Sequence, residues 1–184
     1  MKMNYKEKVS YKIDKQNVIV EIFDDWVNAA KIGKADYLID TQNVLGTKIF
    51  SYVMGDSTRM YYDVIFQKCR LLNKTHFIDY RCDSPTHMRY MQMQIVPQQF
   101  KSLYLYNFLL KEEPFQKKIS ITDSSNSNGG LISRCSICNS LKFHINGDWI
   151  PPESIDSKEE EDFLVIHTVC PRCKKLNWRK NNYL

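Results

Sequence analysis

Two Cys-x-x-Cys pairs constrain this sequence more than any other feature. Cys135 and Cys138 form the first pair, and Cys170 and Cys173 form the second. Two thiolates three positions apart can point from one tight turn at a single ion. Two such turns supply a tetrahedron of sulfur ligands, the coordination that Zn²⁺ takes in closed structural sites. We therefore predict a structural zinc site with these four cysteines as its ligands.

The main rivals to a zinc site are a disulfide and a thioredoxin-type redox motif. A redox Cys-x-x-Cys usually occurs once, at the start of a helix that follows a strand, whereas this chain has two symmetric pairs. The 31 residues between the pairs exceed the common spacing, and the acidic segment 151–162 would take up the excess as a solvated loop. His144 or His167 could replace one cysteine as a ligand. Three basic residues could offset the charge of four thiolates: Arg134, Arg172 and Lys174.

The remaining composition is that of an ordinary globular chain. Of its 184 residues, 43% are hydrophobic and 26% charged, and the formal charge of +5 permits an acidic partner without indicating one. The basic start has no apolar stretch behind it, and no apolar run approaches the roughly 18 residues of a membrane span. We predict a cytoplasmic protein with reduced cysteines and no membrane partner. The two unpaired cysteines, Cys69 and Cys82, are expected to be small buried apolar residues.

The first sixteen residues are polar and lysine-rich, with a thin apolar stripe. Tyr5, Val9 and Ile13 recur every four residues, and this spacing predicts an N-terminal helix over residues 1–16. The next apolar run, VIVEIF at 18–23, is typical of a strand.

The clearest helical pattern lies between Ser57 and Leu72, where apolar residues recur at intervals of three to four. Asp56 or Ser57 is suited to cap its start. A shorter helix is predicted over residues 26–32, ending at Gly33. The face of the long helix expected to pack on the core consists of Met60, Tyr61, Val64, Ile65, Cys69 and Leu72.

Strand patterns dominate the residues after the long helix. The segments are 75–82, 87–96 and 102–110. The second alternates clearly, with Met91, Met93 and Ile95 on one face. Strands grouped apart from helices favour an α+β fold with helices on one face of an antiparallel sheet.

A change in composition predicts the domain organisation. Residues 116–130 include the small polar run SITDSSNSNGG, which is typical of a flexible linker. It would separate a domain at 17–115 from a small zinc-ribbon-like unit at 131–184. Because such metal units fold when they bind metal, removal of zinc is expected to unfold residues 131–184 and leave the first domain folded.

Three stretches of the first domain resemble a family of bacterial PAS-like sensory proteins. They are residues 24–35, 44–70 and 80–97. The last contains Arg81-Cys82-Asp83-Ser84-Pro85, which matches the Arg-Cys-Asp-x-Pro signature of that family. An Asp before Ser-Pro favours a turn, and Arg81 and Arg89 are placed to pair with Asp83 and stabilise the hairpin.

The C-terminal third resembles the cysteine-rich tail that often ends members of the same family. That tail has the order Cys-x-x-Cys, Gly-x-Trp and Cys-Pro-x-Cys. Here the corresponding residues are Cys135-Ser-Ile-Cys138, Gly147-Asp-Trp149 and Cys170-Pro-Arg-Cys173. The resemblance covers residues 17–113 and 131–175.

The resemblance implies a PAS-like fold, a five-stranded antiparallel sheet with short helices and one longer helix over its face. It implies a non-enzymatic signalling or protein-interaction module, with a cavity that could hold a small ligand and an unknown signalling partner. PAS-like domains frequently form homodimers through an N-terminal helix and the sheet, and the stripe of Val9 and Ile13 is compatible with that.

Haem, flavin and enzymatic motifs are not recognised in the sequence. Haem needs an axial ligand, commonly His, and residues 57–72 contain none. No Asn-Cys-Arg-type flavin motif precedes that helix, and His76 and His87 remain as candidate ligands. No phosphate loop, nucleophile elbow or His-Glu-x-x-His occurs, so we expect no enzyme. Zinc is the one cofactor predicted, and residues that would bind another cofactor stay unknown.

The alternative function is a nucleic-acid-binding regulator that uses the zinc unit and the basic tail. Basic residues interleaved with aromatic ones can bind nucleic acid, although a solvated tail is favoured here. The residues concerned are Arg172, Lys174, Lys175, Trp178, Arg179, Lys180 and Tyr183.

Overall fold

The computed structural model describes residues 8–24, 26–84, 86–115, 132–143, 147–155 and 165–182. Its larger sheet has five antiparallel strands in the order β2-β1-β5-β4-β3. The predicted α+β class, with a five-stranded antiparallel sheet, is confirmed. The strands are β1 (Lys8–Ile13), β2 (Ile19–Asp24), β3 (His76–Arg81), β4 (His87–Pro97) and β5 (Leu103–Pro114).

The predicted N-terminal helix is wrong where the structure describes it, because β1 occupies Lys8–Ile13. A spacing of four between Val9 and Ile13 fits a strand as well as a helix, since four is a multiple of two. The burial of Tyr11, midway between them, resolves the ambiguity. β1 lies inside the sheet, hydrogen-bonded to β2 on one side and β5 on the other. Residues 1–7 lie outside the described part of the chain.

The first two helices lie between β2 and β3 along the chain. Helix α1 (Trp26–Ile32) has the predicted bounds, and three short 3₁₀ turns lead from it to α2 (Asp56–Leu72). The indole Nε1 of Trp26 donates to the carbonyl of Leu38 at 2.8 Å and holds the first of these turns against α1. Asn73 ends α2 in the left-handed conformation, with φ of 47°.

The long helix is where the sequence predicts it, but the predicted buried face is only partly right: Cys69 is buried, and Tyr61 and Ile65 pack against the core. Met60 and Val64 are 69% and 62% exposed, and Leu72 is also exposed. The residues that the helix buries are Thr58, Tyr62, Phe66 and Cys69. These positions are also three to four apart, so periodicity alone cannot choose between two apolar faces. The ring of Phe66 stacks on Phe50 at a centroid distance of 5.9 Å and belongs to the buried apolar cluster of the core.

A second, three-stranded sheet carries the cysteine pairs. It consists of β6 (Ile132–Cys135), β7 (Leu141–Lys142) and β8 (Val165–Thr168) in the order β7-β6-β8, followed by α3 (Pro171–Asn182). The predicted linker, residues 116–130, lies outside the described ranges. One cluster of buried apolar residues nevertheless includes Phe66 and Ile78 together with Ile137 and Val169. The two sheets therefore share a core.

No helix within the described ranges is both long and apolar enough to cross a membrane.

Truncating each of the two faces of α2 tests this packing. Phe66→Ala should lower the free energy of unfolding by about 3–5 kcal/mol, because a buried ring leaves a cavity. Val64→Ala, two residues away on the exposed face, should change it by less than about 0.5 kcal/mol. Urea denaturation followed by circular dichroism measures both values. A loss of several kcal/mol in the free energy of unfolding from Val64→Ala would show instead that the face with Val64 packs on the core.

Candidate metal centre

The first cysteine pair lies on a tight turn that leaves β6. Cys135 is the last residue of the strand, and its N–H donates to the carbonyl of Ser140 at 2.8 Å. The N–H of Asn139 donates back to the carbonyl of Cys135 at 2.9 Å. Asn139 takes a φ of 63°, a conformation that Asn tolerates better than most residues. This geometry turns Cys138 back toward Cys135.

The second pair lies where β8 passes into α3. Cys170 directly precedes Pro171, the first residue of the helix, where the missing N–H of proline is no loss. Cys173 follows in the first turn of α3. The N–H of Cys173 lies 3.4 Å from the Cys170 sulfur, and the N–H of Cys170 lies 3.3 Å from the Cys135 sulfur. Backbone donors and the start of a helix both favour thiolate sulfur.

The four sulfurs converge on one point. All four Sγ atoms lie within 4.8 Å of one another, and Cys138 and Cys170 are 3.9 Å apart. Sulfurs at about 2.3 Å from a tetrahedral Zn²⁺ are about 3.8 Å apart, so the cluster fits that ion. All four cysteines are free rather than joined as disulfides. Cys135, Cys170 and Cys173 are buried, as expected of a closed structural site rather than an open catalytic one.

Protonation of the cluster is uneven. Hydrogen bonds with Cys135 and Cys173 hold the pKa of Cys138 well below its ordinary value. Hydrogen bonds with Cys135 and Cys138 raise the pKa of Cys173, and burial raises the pKa of Cys170 to about 11. Four thiolates without a cation repel each other, so some sulfurs retain protons that a bound dication would displace.

The predicted auxiliary residues lie outside the cluster. Within the described residues the ligating group consists of the four cysteines alone, and His167 on β8 is not part of it. His144 lies outside the described residues. Arg172 and Lys174 are exposed on α3, and Arg134 is half-buried on β6. No hydrogen bond or ion pair described here joins these three to the sulfurs.

A buried arginine links the two sheets. The Arg81 guanidinium forms a two-pronged pair with Asp83, at 3.1 Å from Nε and 2.7 Å from Nη2. Its Nη1 donates to both carboxylate oxygens of Glu153, at 2.9 and 3.0 Å. Asp83 also accepts from the backbone N–H of Arg89 and from the amide of Asn139. The predicted pair of Arg81 with Asp83 is therefore confirmed, whereas the Arg89 guanidinium pairs with Glu112 at 3.5 Å. Glu153, expected in a solvated loop, also pairs with Arg81.

The cysteine-bearing segment also covers the free edge of β3. The N–H of Arg81 donates to the carbonyl of Ile137, between the first two cysteines, at 2.7 Å. The N–H of Asp79 donates to the side-chain oxygen of Asn177 on α3, and the Asn177 amide donates to the Tyr61 hydroxyl. Neither Ile137 nor Asn177 belongs to a recognisable motif, so neither is predicted from the sequence. The one general indication of such contacts is that the unpaired backbone groups of an edge strand are usually covered by another segment.

The start of α2 and strand β8 also approach each other closely, at Gly55 and His167. Gly55 precedes α2 with a φ of 79°, and a Cβ there would lie 2.4 Å from the His167 carbonyl oxygen. Only glycine fits this contact. The hydroxyls of Thr58 and Ser136 meet nearby at 2.8 Å.

The expectation for the unpaired cysteines holds for one of them. Cys69 is fully buried, and burial raises the pKa of its thiol to about 11. Cys82 is exposed, so its prediction is wrong. It follows Arg81, which is buried, and successive residues of an extended chain point in opposite directions.

A separate cavity of about 230 Å³ lies between α2 and the larger sheet. Its walls are mainly aromatic, and Met93 from β4 forms part of the lining. Neither His76 nor His87, the two candidate ligands, is among the lining residues. The aromatic residues around it are Tyr11, Trp26, Phe50, Tyr52, Tyr62 and Phe66.

The predicted basic tail belongs to helix α3, which continues to Asn182. Arg172, Lys174 and Lys175 are exposed on it. The side chains of Trp178, Arg179 and Lys180, and all of Tyr183, lie outside the described part. Nucleic-acid binding therefore stays a prediction, as does the absence of enzymatic activity.

Comparison with known proteins returns no match: no protein-family model, no curated protein and no solved structure matches this chain. The resemblance to PAS-like sensory proteins therefore depends on the residues of the chain itself.

Removing one carboxylate tests the buried link between the sheets. Asp83→Ala should lower the free energy of unfolding by about 3 kcal/mol, because the 7%-exposed Arg81 side chain loses its closest partner. Asp56→Ala removes the exposed partner of Arg59 and should have little effect. Urea denaturation midpoints measure both. Equal midpoints for the two variants would show that Arg81 is held by other contacts.

Proposed function

We propose that this protein is a non-enzymatic, PAS-like sensory or protein-interaction module that binds a small apolar ligand in its core and carries one structural zinc ion. The observation that carries the proposal is the aromatic cavity between α2 and the five-stranded sheet. A sheet with short helices and one longer helix over its face is the architecture that the sequence resemblance implies. The zinc unit would hold the edge of that sheet in place.

The case for zinc is the chemistry of the donor set. Four sulfurs on two tight turns, mostly buried and at tetrahedral spacing, suit Zn²⁺ better than the oxygen-preferring Mg²⁺ or Ca²⁺. Cys135, Cys138, Cys170 and Cys173 would be the ligands. With no open coordination position, the ion would stabilise structure rather than activate a substrate.

The case for ligand binding is the composition of the core cavity. At about 230 Å³ the cavity is smaller than most small-molecule sites, which suits only a compact ligand, and its lining is largely apolar and aromatic. Burial raises the pKa of Tyr11 and of Tyr62 above the ordinary value, so both hydroxyls stay neutral within this cavity. A compact aromatic ligand matches such walls.

The proposed partner surface is the outer face of the sheet. Leu103 and Leu105 on β5 point into the core, so the alternate residues Tyr104 and Tyr106 point outward. Their rings are 5.9 Å apart and continue a row that includes Phe23, 5.7 Å from Tyr104. Such an aromatic row suits a second copy of the chain or a protein partner.

The described part of the N-terminus offers no helix for a dimer contact. Ile13 is fully buried on a strand in the interior of the sheet, and no helix is present over Lys8–Ile13. A polar substitution at Ile13 would damage the core rather than a dimer contact.

Loss of the metal should destabilise the whole chain. The sequence alone predicts selective unfolding of residues 131–184, but Cys135, Cys170 and Cys173 belong to the same apolar cluster as Phe66. Cys173→Ser should abolish a 1:1 zinc content and lower the Tm by about 10 °C or more. Cys82→Ser is the matched control because Cys82 is exposed and outside the cluster. Elemental analysis and calorimetry measure both effects, and full zinc content in Cys173→Ser would contradict the assigned ligands.

Filling the cavity tests ligand binding. Indole, as a compact aromatic probe, should raise the Tm of the protein, since a ligand that binds only the folded state stabilises it. Val53→Phe places a ring in the cavity and should abolish the shift. Val20→Phe, on the exposed part of β2, should leave it intact. Native mass spectrometry reports any retained molecule and the oligomeric state. A shift that survives in Val53→Phe would refute this site.

A further inference from the structure

A second cavity, of about 200 Å³, lies where α2, β3 and α3 meet. It is distinct from the core cavity, with which it shares no lining residue. Tyr61, Val64 and Ile65 from α2 supply its apolar wall. His76 from β3 also lines it, together with Lys68 and Lys174. An apolar wall with a few polar groups is typical of a small-molecule site.

His76 is the unusual member of this lining. The residue is only 2% exposed, and its Nδ1 lies 2.9 Å from the carbonyl oxygen of Lys74. A carbonyl only accepts, so Nδ1 carries the proton and the neutral ring presents a lone pair at Nε2. That Nε2 is buried and has no hydrogen-bond partner among the described residues. Burial lowers the pKa of His76, which keeps the ring neutral.

An unpaired buried acceptor costs free energy unless a donor reaches it. A water at this position would find few further partners, because the wall is largely apolar. A ligand with an O–H or N–H group on an apolar body satisfies both the acceptor and the wall.

Two lysines in the lining indicate which charge the ligand should carry. Lys174 is exposed and Lys68 is half-buried, and both ammonium-bearing chains line the cavity. Their positive charges favour an anionic group. Asn177, also in the lining, hydrogen-bonds to Tyr61 at 3.1 Å and ties α3 to the wall. A ligand there would touch the five-stranded sheet, α2 and the helix that follows the cysteines.

We propose that this cavity binds a small organic acid whose apolar body carries a hydroxyl or N–H donor, with His76 Nε2 as the buried acceptor and Lys174 beside the acid group. This site stands whether or not the core cavity takes a ligand.

Three related probes test the proposal without altering the protein. 4-Hydroxybenzoate carries both the donor and the acid, benzoate lacks the donor, and phenol lacks the acid. For ligands of this size we expect a Kd on the order of 0.1–1 mM for 4-hydroxybenzoate. Loss of the donor should weaken binding about tenfold, because the His76 acceptor is again left unpaired. NMR titration of protein labelled with ¹⁵N-histidine measures the affinities and reports directly on His76 Nε2.

Variants identify the cavity. Val64→Phe narrows it from the exposed face of α2 and should block the probe, whereas Met60→Phe, one turn earlier and outside the lining, should not. Lys174→Gln should weaken 4-hydroxybenzoate about fivefold and leave phenol unchanged, with Lys175→Gln as the control. In His76→Phe, 4-hydroxybenzoate and benzoate should bind equally. If that variant fails to fold, the ¹⁵N shift of wild-type Nε2 on titration decides the point.

The outcomes that overturn the proposal are specific. Equal affinities for 4-hydroxybenzoate and benzoate in the wild-type protein would remove the role of His76. An unchanged Nε2 resonance, or an ordered water there with no probe bound, would do the same. Binding lost in Val53→Phe but kept in Val64→Phe would assign the probe to the core cavity and refute this site alone.

Discussion

The edge of β3 is the constraint on which the rest of this structure depends. A strand at the end of a sheet presents unpaired backbone groups that invite other chains, unless something covers them. Here the turn between Cys135 and Cys138 covers the edge, with the Ile137 carbonyl taking the N–H of Arg81. Asn177 does the same further along for Asp79. The metal centre, the buried arginine and the cavity at α3 all lie along this junction.

The same junction explains why charges can be buried there. Arg81 is almost completely enclosed, yet two carboxylates, from Asp83 and Glu153, meet its guanidinium with charge-assisted hydrogen bonds. Asp83 in turn receives a donor from Asn139, the residue whose left-handed conformation closes the first cysteine turn. The Arg-Cys-Asp stretch is thus a structural connection between the two sheets. The cysteine cluster lies in the same apolar core as Phe66.

Much of the local structure was predictable because it depends on short-range patterns. The alternation of Met91, Met93 and Ile95 correctly indicated the inward face of β4. Helix α1 was predicted to the residue, since Gly33 follows a short apolar repeat. The first strand was mistaken for a helix because a spacing of four suits both periods. On α2, apolar residues recur on two faces of the helix. Periodicity alone did not indicate that the face with Phe66 is the one that packs on the core.

The sequence by itself determined the chemistry of this protein: four cysteines paired at a spacing that lets each turn aim two sulfurs at one ion, and a helix and strands whose periods are written in neighbouring residues. Tertiary structure decided which of these features meet. It brought Glu153 to Arg81, left His76 Nε2 with no hydrogen-bond partner among the described residues, and joined the cysteine turns to the edge of β3. Arg81 and Glu153 are 72 positions apart, and Arg81 and Ile137 are 56 apart. No local pattern encodes such contacts, and only the shared burial of apolar surface brings the residues together.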